Sequence, residues 1–454
     1  MALTNESAWA VQINRAFMIS KLKKLSQNES FMRYFKNSSW MMAEYGLRFV
    51  SAIFVSIYVA RYLGPDSFGI LSYALAIVAV FMTIARLGME SILVRDLTQY
   101  PEKFYAYMGT AFGLMVAAAM VGSVLLGAFI YFLDSDFQTK LYILIISTGL
   151  FFQTFLVIDY AFQAQVKAKY SSISKSLALL VSSIIKIYLV WVEADLLAFA
   201  LAFAFDHLSI SVGLILTYLK QKQKNFVFAF DRGLVQKLIV SAWPMTLVAL
   251  GSMLYLRTDQ LMIYYYLDSY DLGVYSAISK FFEGWNMIPY VLSISLLPVI
   301  LKLSKSDEYH KYLSFIYSLF IYSGIFVFLI FLFQSEALVL FFLGQDYLSG
   351  KDVLPILFFA AIFAAIATLN NRVILVEGKE TDITKRILIA GVLNILLNAV
   401  LIPLYEIEGA AMSTLISFFY LAILANLNKH KALLKVILNG VFFNLNRVSM
   451  VWKK

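Results

Sequence analysis

Of 454 residues, 61% are hydrophobic and only 14% charged, against roughly 25% charged in soluble proteins, which excludes a water-soluble fold of ordinary surface. The lack of cysteine excludes disulfides, thiolate metal sites and thiol nucleophiles, and His207, His310 and His430 are too scattered to read as a metal set. A net charge of +9 would suit nucleic acid if it were gathered in one place, but it is dispersed between apolar blocks, which argues against that partner.

Residues 1–39 have no long apolar core and no small-residue cleavage site, so they read as a retained cytoplasmic tail. Trp9, Ile13, Phe17 and Leu25 beside Lys21, Lys23 and Lys24 suit either a basic interfacial helix or, more plainly, a solvated positive tail. Apolar blocks long enough to cross about 30 Å of hydrocarbon then follow at 40–60, 70–93, 106–133, 141–163, 173–192, 196–219, 238–265, 273–297, 311–333, 353–376, 386–403 and 409–427. The pattern predicts an all-α polytopic membrane protein with twelve transmembrane helices. Residues 432–443 are apolar enough for one further short interfacial helix.

Lysine and arginine alternate between the connections. Twenty-seven lie in the two tails and the even-numbered connections, whereas the opposite loops hold only Arg61, Lys140 and Lys351. Basic loops stay cytoplasmic, so both termini are expected inside. The longest inner connection, 220–237, divides an N-lobe (40–219, helices 1–6) from a C-lobe (238–427, helices 7–12), with 428–454 as a second cytoplasmic tail.

The two lobes read as a repeat. Tyr62-Leu63, Phe68-Gly69-Ile70 and Ser72 return as Tyr266-Leu267, Leu272-Gly273-Val274 and Ser276, at an offset of 204. Trp40 with Trp243, Ser91-Ile92-Leu93 with Ser295-Leu296-Leu297, and the hairpins 159–167 and 371–379 follow in order. Two six-helix bundles in the same orientation are the layout of alternating-access transporters, which rock around a site between them. The repeat makes Gly64-Pro65 and Asp268-Ser269 equivalent outer turns, hence candidate gate elements.

Within the spans lie the bases Arg48, Arg86, Lys186, Arg257, Lys280 and Arg372, and the acids Glu44, Glu90, Asp159, Asp206, Asp259 and Glu283. At about 2.5–3.5 kcal/mol each, twelve charges facing lipid would exceed a net stability of about 5–15 kcal/mol. Most must face a hydrated cavity or one another. Glu44 with Arg48, Arg86 with Glu90, and Lys280 with Glu283 have helical pairing distance. Lys186, Lys280 and Arg372 are near enough to helix ends to snorkel, whereas Arg48 and Arg257 are about 12 Å inside theirs. The six bases are the candidate substrate-binding set, since arginine's planar fork suits phosphate. Asp259, Asp159, Asp206, Glu44 and Glu283 are candidates for ion coupling or gating, with helix-to-helix pairing as the structural alternative. Pro244 and Pro289 fall inside helices and favour kinks. No phosphate-binding glycine loop for ATP is present, and no cofactor or metal is expected.

The runs from Arg61 to Gly69 (Arg-Tyr-Leu-Gly-Pro-Asp-Ser-Phe-Gly), from Arg257 to Met262 (Arg-Thr-Asp-Gln-Leu-Met) and from Leu272 to Ala277 (Leu-Gly-Val-Tyr-Ser-Ala) carry a family resemblance. Over nearly its whole length the chain resembles the polysaccharide biosynthesis family, which includes the O-antigen (Wzx-type) flippases of the multidrug/oligosaccharidyl-lipid/polysaccharide exporter superfamily. The resemblance implies a MATE-like, V-shaped transporter of two pseudo-symmetric six-helix bundles in the bacterial inner membrane. It implies movement of undecaprenyl-pyrophosphate-linked oligosaccharide from the cytoplasmic to the outer leaflet, for O-antigen, capsule or exopolysaccharide synthesis. Membrane lipids, a polysaccharide polymerase and a chain-length regulator are the implied partners, with H+ or Na+ as a counter-transported ion. A MATE-type drug or cation antiporter is the alternative. A membrane polymerase or glycosyltransferase is disfavoured, because the longest outer connection is only about Gln334 to Asp352.

Overall fold

The computed structural model describes residues 29–303, 309–427 and 429–442. Trp9, Ile13, Phe17 and Leu25 of the first tail and Arg447, Lys453 and Lys454 of the last lie outside the described residues. The chain forms α1 (Glu29–Arg86), α2 (Met89–Gln99), α3 (Phe104–Phe132), α4 (Phe137–Ser147), α5 (Gly149–Phe152), α6 (Leu156–Ala164) and α7 (Ala168–Trp191). It continues as α8 (Leu196–Lys220), α9 (Arg232–Tyr266), α10 (Ser269–Leu303), α11 (Tyr309–Phe342), α12 (Val353–Val376), α13 (Glu380–Ala422) and α14 (Lys431–Val441). Short polar turns start several of these helices: the carboxylates of Asp136, Asp195 and Asp231 accept the free amides at the first turns of α4, α8 and α9.

Among the described residues nine helical stretches are long and apolar enough to cross a membrane, so the chain is an all-helical polytopic membrane protein. The twelve predicted spans do not map onto these one for one. Two stretches, of 61 and 46 residues, are each longer than the ~20 residues that one crossing needs, and each is interrupted. The first bends at Gly64 (φ 73, ψ 168), a backbone region open essentially to glycine, with Pro65 next in sequence. The second bends at Tyr405 and Glu406, two residues after Pro403, inside the predicted outer turn at 404–408. By contrast α9 is continuous through Pro244.

Three local expectations need correction. The predicted span 70–93 stops at Arg86, because Leu87 and Gly88 both adopt positive φ (51° and 55°), and Glu90 belongs to the separate helix α2. The span 141–163 is segmented into α4, α5, a 3-10 turn and α6. Helix α11 runs to Phe342, nine residues beyond its predicted end at 333, so the outer connection to α12 is shorter than Gln334–Asp352. The apolar run after 431 does form a helix, α14, whose Leu433, Val436 and Ile437 are buried against α11, with Gly440 seated at the carbonyl of Ser314.

One apolar cluster joins the two halves of the chain, uniting Phe68, Leu71 and Ile77 of α1 with Val274, Ile278 and Tyr347. Each half also has a cluster of its own, around Met89, Met108 and Tyr160 in the first and around Leu313, Tyr317 and Ile374 in the second. The start of α9, at Leu234, Leu238 and Ala242, packs into the first-half cluster, so this helix ties the halves together. The tightest contact is a crossing of α1 and α10. A methyl group added at Gly69 would stand 1.8 Å from the Ser269 carbonyl oxygen, and one at Gly273 would stand 1.8 Å from that of Pro65. The contact is reciprocal at the repeat offset of 204 residues. Away from these clusters Phe132, Tyr131 and Trp191 are 82%, 80% and 78% exposed, a surface suited to lipid rather than water.

Candidate functional site

In the first half, Glu44 and Arg48 of α1 pair at 2.7 Å, as their spacing predicts. Glu44 also meets Lys175 of α7 at 2.9 Å, and Lys175 meets Asp159 of α6 at 2.9 Å. The Gln163 amide donates to the same Asp159 carboxylate at 3.2 Å. Arg48, Lys175, Glu44 and Asp159 thus form a charge-balanced network, with the three inner members almost fully buried. Sequence reading passed over Lys175. Of the 37 lysines and arginines it is the one assigned to neither a tail, a connection nor the cavity bases, and that leftover status is the signal that finds it.

Three turns along α7, Lys186 pairs with Asp206 of α8 at 2.6 Å and stands 3.8 Å over the Phe203 ring. The Ser182 hydroxyl donates to the same carboxylate. Arg48, Lys186, Asp206 and His207 line a cavity of about 240 Å³.

In the second half, Arg257 Nη1 on α9 donates to Gln260 at 3.1 Å and has Glu283 of α10 at 3.9 Å. Lys280, one turn before Glu283, holds that carboxylate more closely, at 2.8 Å. Two bases therefore share one acid, which leaves one positive charge in surplus. Arg257 Nε is buried without a hydrogen-bond partner. Arg257 and Lys280 line a cavity of about 310 Å³ whose opposite wall, from the first half, includes Ser56, Ser72, Phe203 and His207. Ser56, Phe203 and His207 also line the 240 Å³ cavity. Arg48, Lys186, Arg257 and Lys280 are thereby gathered around two adjoining spaces that share a wall.

Arg86 and Arg372 stand apart. The expected pair of Arg86 with Glu90 is not formed, since the turn at Leu87 and Gly88 breaks the helix between them. Arg86 Nε donates to Gln153 at 2.8 Å instead. Arg372 lines a different cavity, of about 530 Å³, with Tyr290 and Thr368. Another base, Arg386 at the start of the predicted span 386–403, is buried, with one nitrogen donating to the Leu421 carbonyl at 2.6 Å.

Asp259 faces away from Arg257, as a separation of two residues on one helix requires. Its carboxylate accepts from Asn398 at 2.7 Å, Thr414 at 2.8 Å and Tyr275 at 2.9 Å. Asn398 in turn donates to Asn394 at 3.1 Å. Two hydroxyls and one amide nitrogen thus donate to a single carboxylate, which borders a small cavity of about 70 Å³. Among the described residues no three His, Asp or Glu side chains converge as a metal-binding set.

At the kink within α1 and the start of α10, the turns at Gly64-Pro65 and Asp268-Ser269 touch. Ser269 donates to Asp66 at 3.2 Å, and Asp268 accepts the amide of Asp271 at 3.0 Å, starting α10. Arg61 reaches the Phe341 carbonyl at 2.8 Å, and Tyr347 donates to the Ala60 carbonyl at 2.6 Å. These contacts join the kink in α1 to the start of α10 and to the stretch between α11 and α12.

The fold is shared with solved transporters. The structure superposes on the lipid II flippase MurJ with a TM-score of 0.69 at 17% identity, covering 89% of this chain and 90% of that one. It superposes on an inward-facing multidrug resistance MATE family transporter of the MOP superfamily with a TM-score of 0.64 at 11% identity, covering 90% and 96%. In sequence it is 23% identical over 391 residues to the capsular polysaccharide biosynthesis protein CapF of Staphylococcus aureus, covering 85% of this chain and 96% of the relative. Residues 34–304, more than half of the chain, match the family described as polysaccharide biosynthesis protein. On that match, which spans the chain from α1 to α10, the chain belongs to the polysaccharide biosynthesis protein family.

Proposed function

We propose that this membrane protein is a flippase that carries a polyprenyl-pyrophosphate-linked oligosaccharide across the bilayer by alternating access. The carrying observation is the space between the halves, where Arg257 and Lys280 share only Glu283. An anion entering it meets one uncompensated positive charge and an unpartnered Arg257 Nε. Arginine's second donor edge suits a pyrophosphate, whose oxygens can displace the loosely held Glu283 contact. Sugars and phosphate would be shielded in the cavity while the isoprenoid tail stays in lipid. Membership in a polysaccharide biosynthesis family, and a fold shared with a protein named as a lipid II flippase, support this class over a soluble or catalytic role.

On this reading the kinked stretches at Gly64 and at Tyr405–Glu406 each cross twice and α10 crosses once, giving twelve spans with both termini in the cytoplasm of a bacterial inner membrane. The contacts of Gly69 with Ser269 and of Gly273 with Pro65 form the outer gate of the inward-directed state. Asp259, a carboxylate surrounded by neutral hydrogen-bond donors, is the place for a counter-transported H+ or Na+, and a polymerase with its chain-length regulator takes the product outside.

Replacing Arg257 or Arg48 by Glu should abolish surface polysaccharide in a flippase-deficient host at unchanged membrane abundance, with Lys retaining part of the activity and Ala falling between. The measurement is complementation normalised to protein level. Wild-type activity in both Glu variants would sink the basic-cavity mechanism. Transport of cationic dyes by the reconstituted protein, without flipping of an isoprenoid-linked sugar, would favour the drug-antiporter class instead.

A further inference from the structure

The mechanism above leaves the 530 Å³ cavity around Arg372 unused. It is walled by α9, α10, α12 and α13, through Met245, Tyr290, Thr368, Asn371 and Thr384, and none of its residues lines the central cavity. Arg372 is four residues from the end of α12 at Val376, close enough to extend along its own helix toward water. It turns sideways instead: its guanidinium stands 5.4 Å over the Tyr290 ring, and Nε donates to Ser293 at 3.3 Å. Both partners are neutral, and among the described residues Arg372 has no acidic partner within ion-pair distance. Its charge is uncancelled among the described residues, and it lines a space large enough for a head group.

A row of polar side chains on α10 runs from this cavity toward Glu283, the acid shared by Arg257 and Lys280. Ser279, Glu283, Asn286, Tyr290 and Ser293 recur on α10 at spacings of four and three, which places them on one helix face. Along that face Asn286 Oδ1 is buried and unpartnered. Helices α9 and α10 line both cavities: Val248 and Tyr290 face the Arg372 cavity, Arg257 and Lys280 the central one. By helical rise the two levels are about 14 Å apart.

Resting on the flippase reading, we infer that the Arg372 cavity is a loading site for the phosphate head of an anionic lipid, from which the head passes along α10 to Arg257 and Lys280. The stacked guanidinium binds phosphate oxygens through Nη1 and Nη2, which Ser293 leaves free. Tyr290, about half exposed, offers its ring face to the guanidinium and its edge to the incoming lipid.

The test uses the full chain in phosphatidylcholine nanodiscs, with radiolabelled farnesyl pyrophosphate as the probe. In an Arg257→Gln background, which weakens the central site, residual binding should persist, and adding Arg372→Gln should weaken it about tenfold, the scale of one charged contact. Thr368→Phe, which fills the cavity and leaves the charge in place, should weaken it as well and guards against misfolding of the arginine variant. Displacement of the probe by phosphatidylglycerol but not by inorganic pyrophosphate would assign the site to lipid phosphates in general. Displacement by farnesyl pyrophosphate alone would assign it to the isoprenoid substrate. Displacement by inorganic pyrophosphate alone would overturn the lipid site. No residual binding in Arg257→Gln, or residual binding untouched by both Arg372→Gln and Thr368→Phe, would also overturn it. These failures leave the flippase reading standing, because that reading depends on transport by the Arg257 and Arg48 variants.

Discussion

Lys175 shows what burial does to a charge. Its ammonium is held between Glu44 and Asp159, at 2.9 Å from each, in a pocket that exposes 7% of its side chain. Lys175→Met would leave two carboxylates buried with only Arg48 beside one of them, a change that typically costs about 3–5 kcal/mol. We expect a lower melting temperature in detergent and less protein in the membrane, with partial recovery in the triple variant K175M/E44Q/D159N. Equal stability of K175M and wild type would show that the network is hydrated rather than buried. Asp259 differs, because its partners are all neutral. Asp259→Asn, which keeps one acceptor oxygen in place of two, should cost about 1–3 kcal/mol of stability, less than the loss of Lys175, while lowering the dependence of transport on an ion gradient. An identical response to collapse of the proton and sodium gradients in the variant and the wild type would assign Asp259 to packing alone.

Among the elements, the α1–α10 crossing depends on two glycines. A side chain at Gly69 or Gly273 would place Cβ 1.8 Å from a carbonyl oxygen of the other helix, so alanine at either position must push the helices apart. The neighbouring side chains of Asp66 and Ser269 are 3.2 Å apart, and the chain has no cysteine of its own. Cysteines at 66 and 269 should crosslink readily and block transport. Adding Gly273→Ala should reduce the crosslinked fraction about tenfold, equivalent to a shift of ~1.4 kcal/mol in the closing equilibrium. Undiminished crosslinking with alanine at both glycines would show that closure does not depend on this contact. Helix α14 answers to a simpler rule: its apolar residues at 433, 436, 437 and 440 fall on one face, which packs on α11.

For the whole molecule, the proposed orientation is open to labelling. Lys224 lies in the connection between α8 and α9, and Asp268 in the turn between α9 and α10. In intact cells a membrane-impermeant thiol reagent should modify a cysteine at 268 and spare one at 224. The reverse pattern would invert the topology and with it the assignment of inner and outer gates.

The chain's composition and apolar blocks were enough to establish a helical membrane protein, because lipid leaves a backbone few alternatives to the helix. The span 353–376 coincides with α12 (Val353–Val376), and the bends at Gly64 and Tyr405–Glu406 fall in turns marked by Pro65 and Pro403. Pairs within one helix, Glu44 with Arg48 and Lys280 with Glu283, were legible from spacing alone. The pairing of Lys175 with Asp159, of Lys186 with Asp206 and of Asp259 with Asn398 and Thr414 was not. Each joins separate helices, and hydrophobic patterning sets how far a helix runs without setting which helix lies beside it. Only the packed arrangement decides which buried charges cancel, and so leaves, among the described residues, the surplus at Arg257 and Lys280 and a guanidinium at Arg372 without an acidic partner.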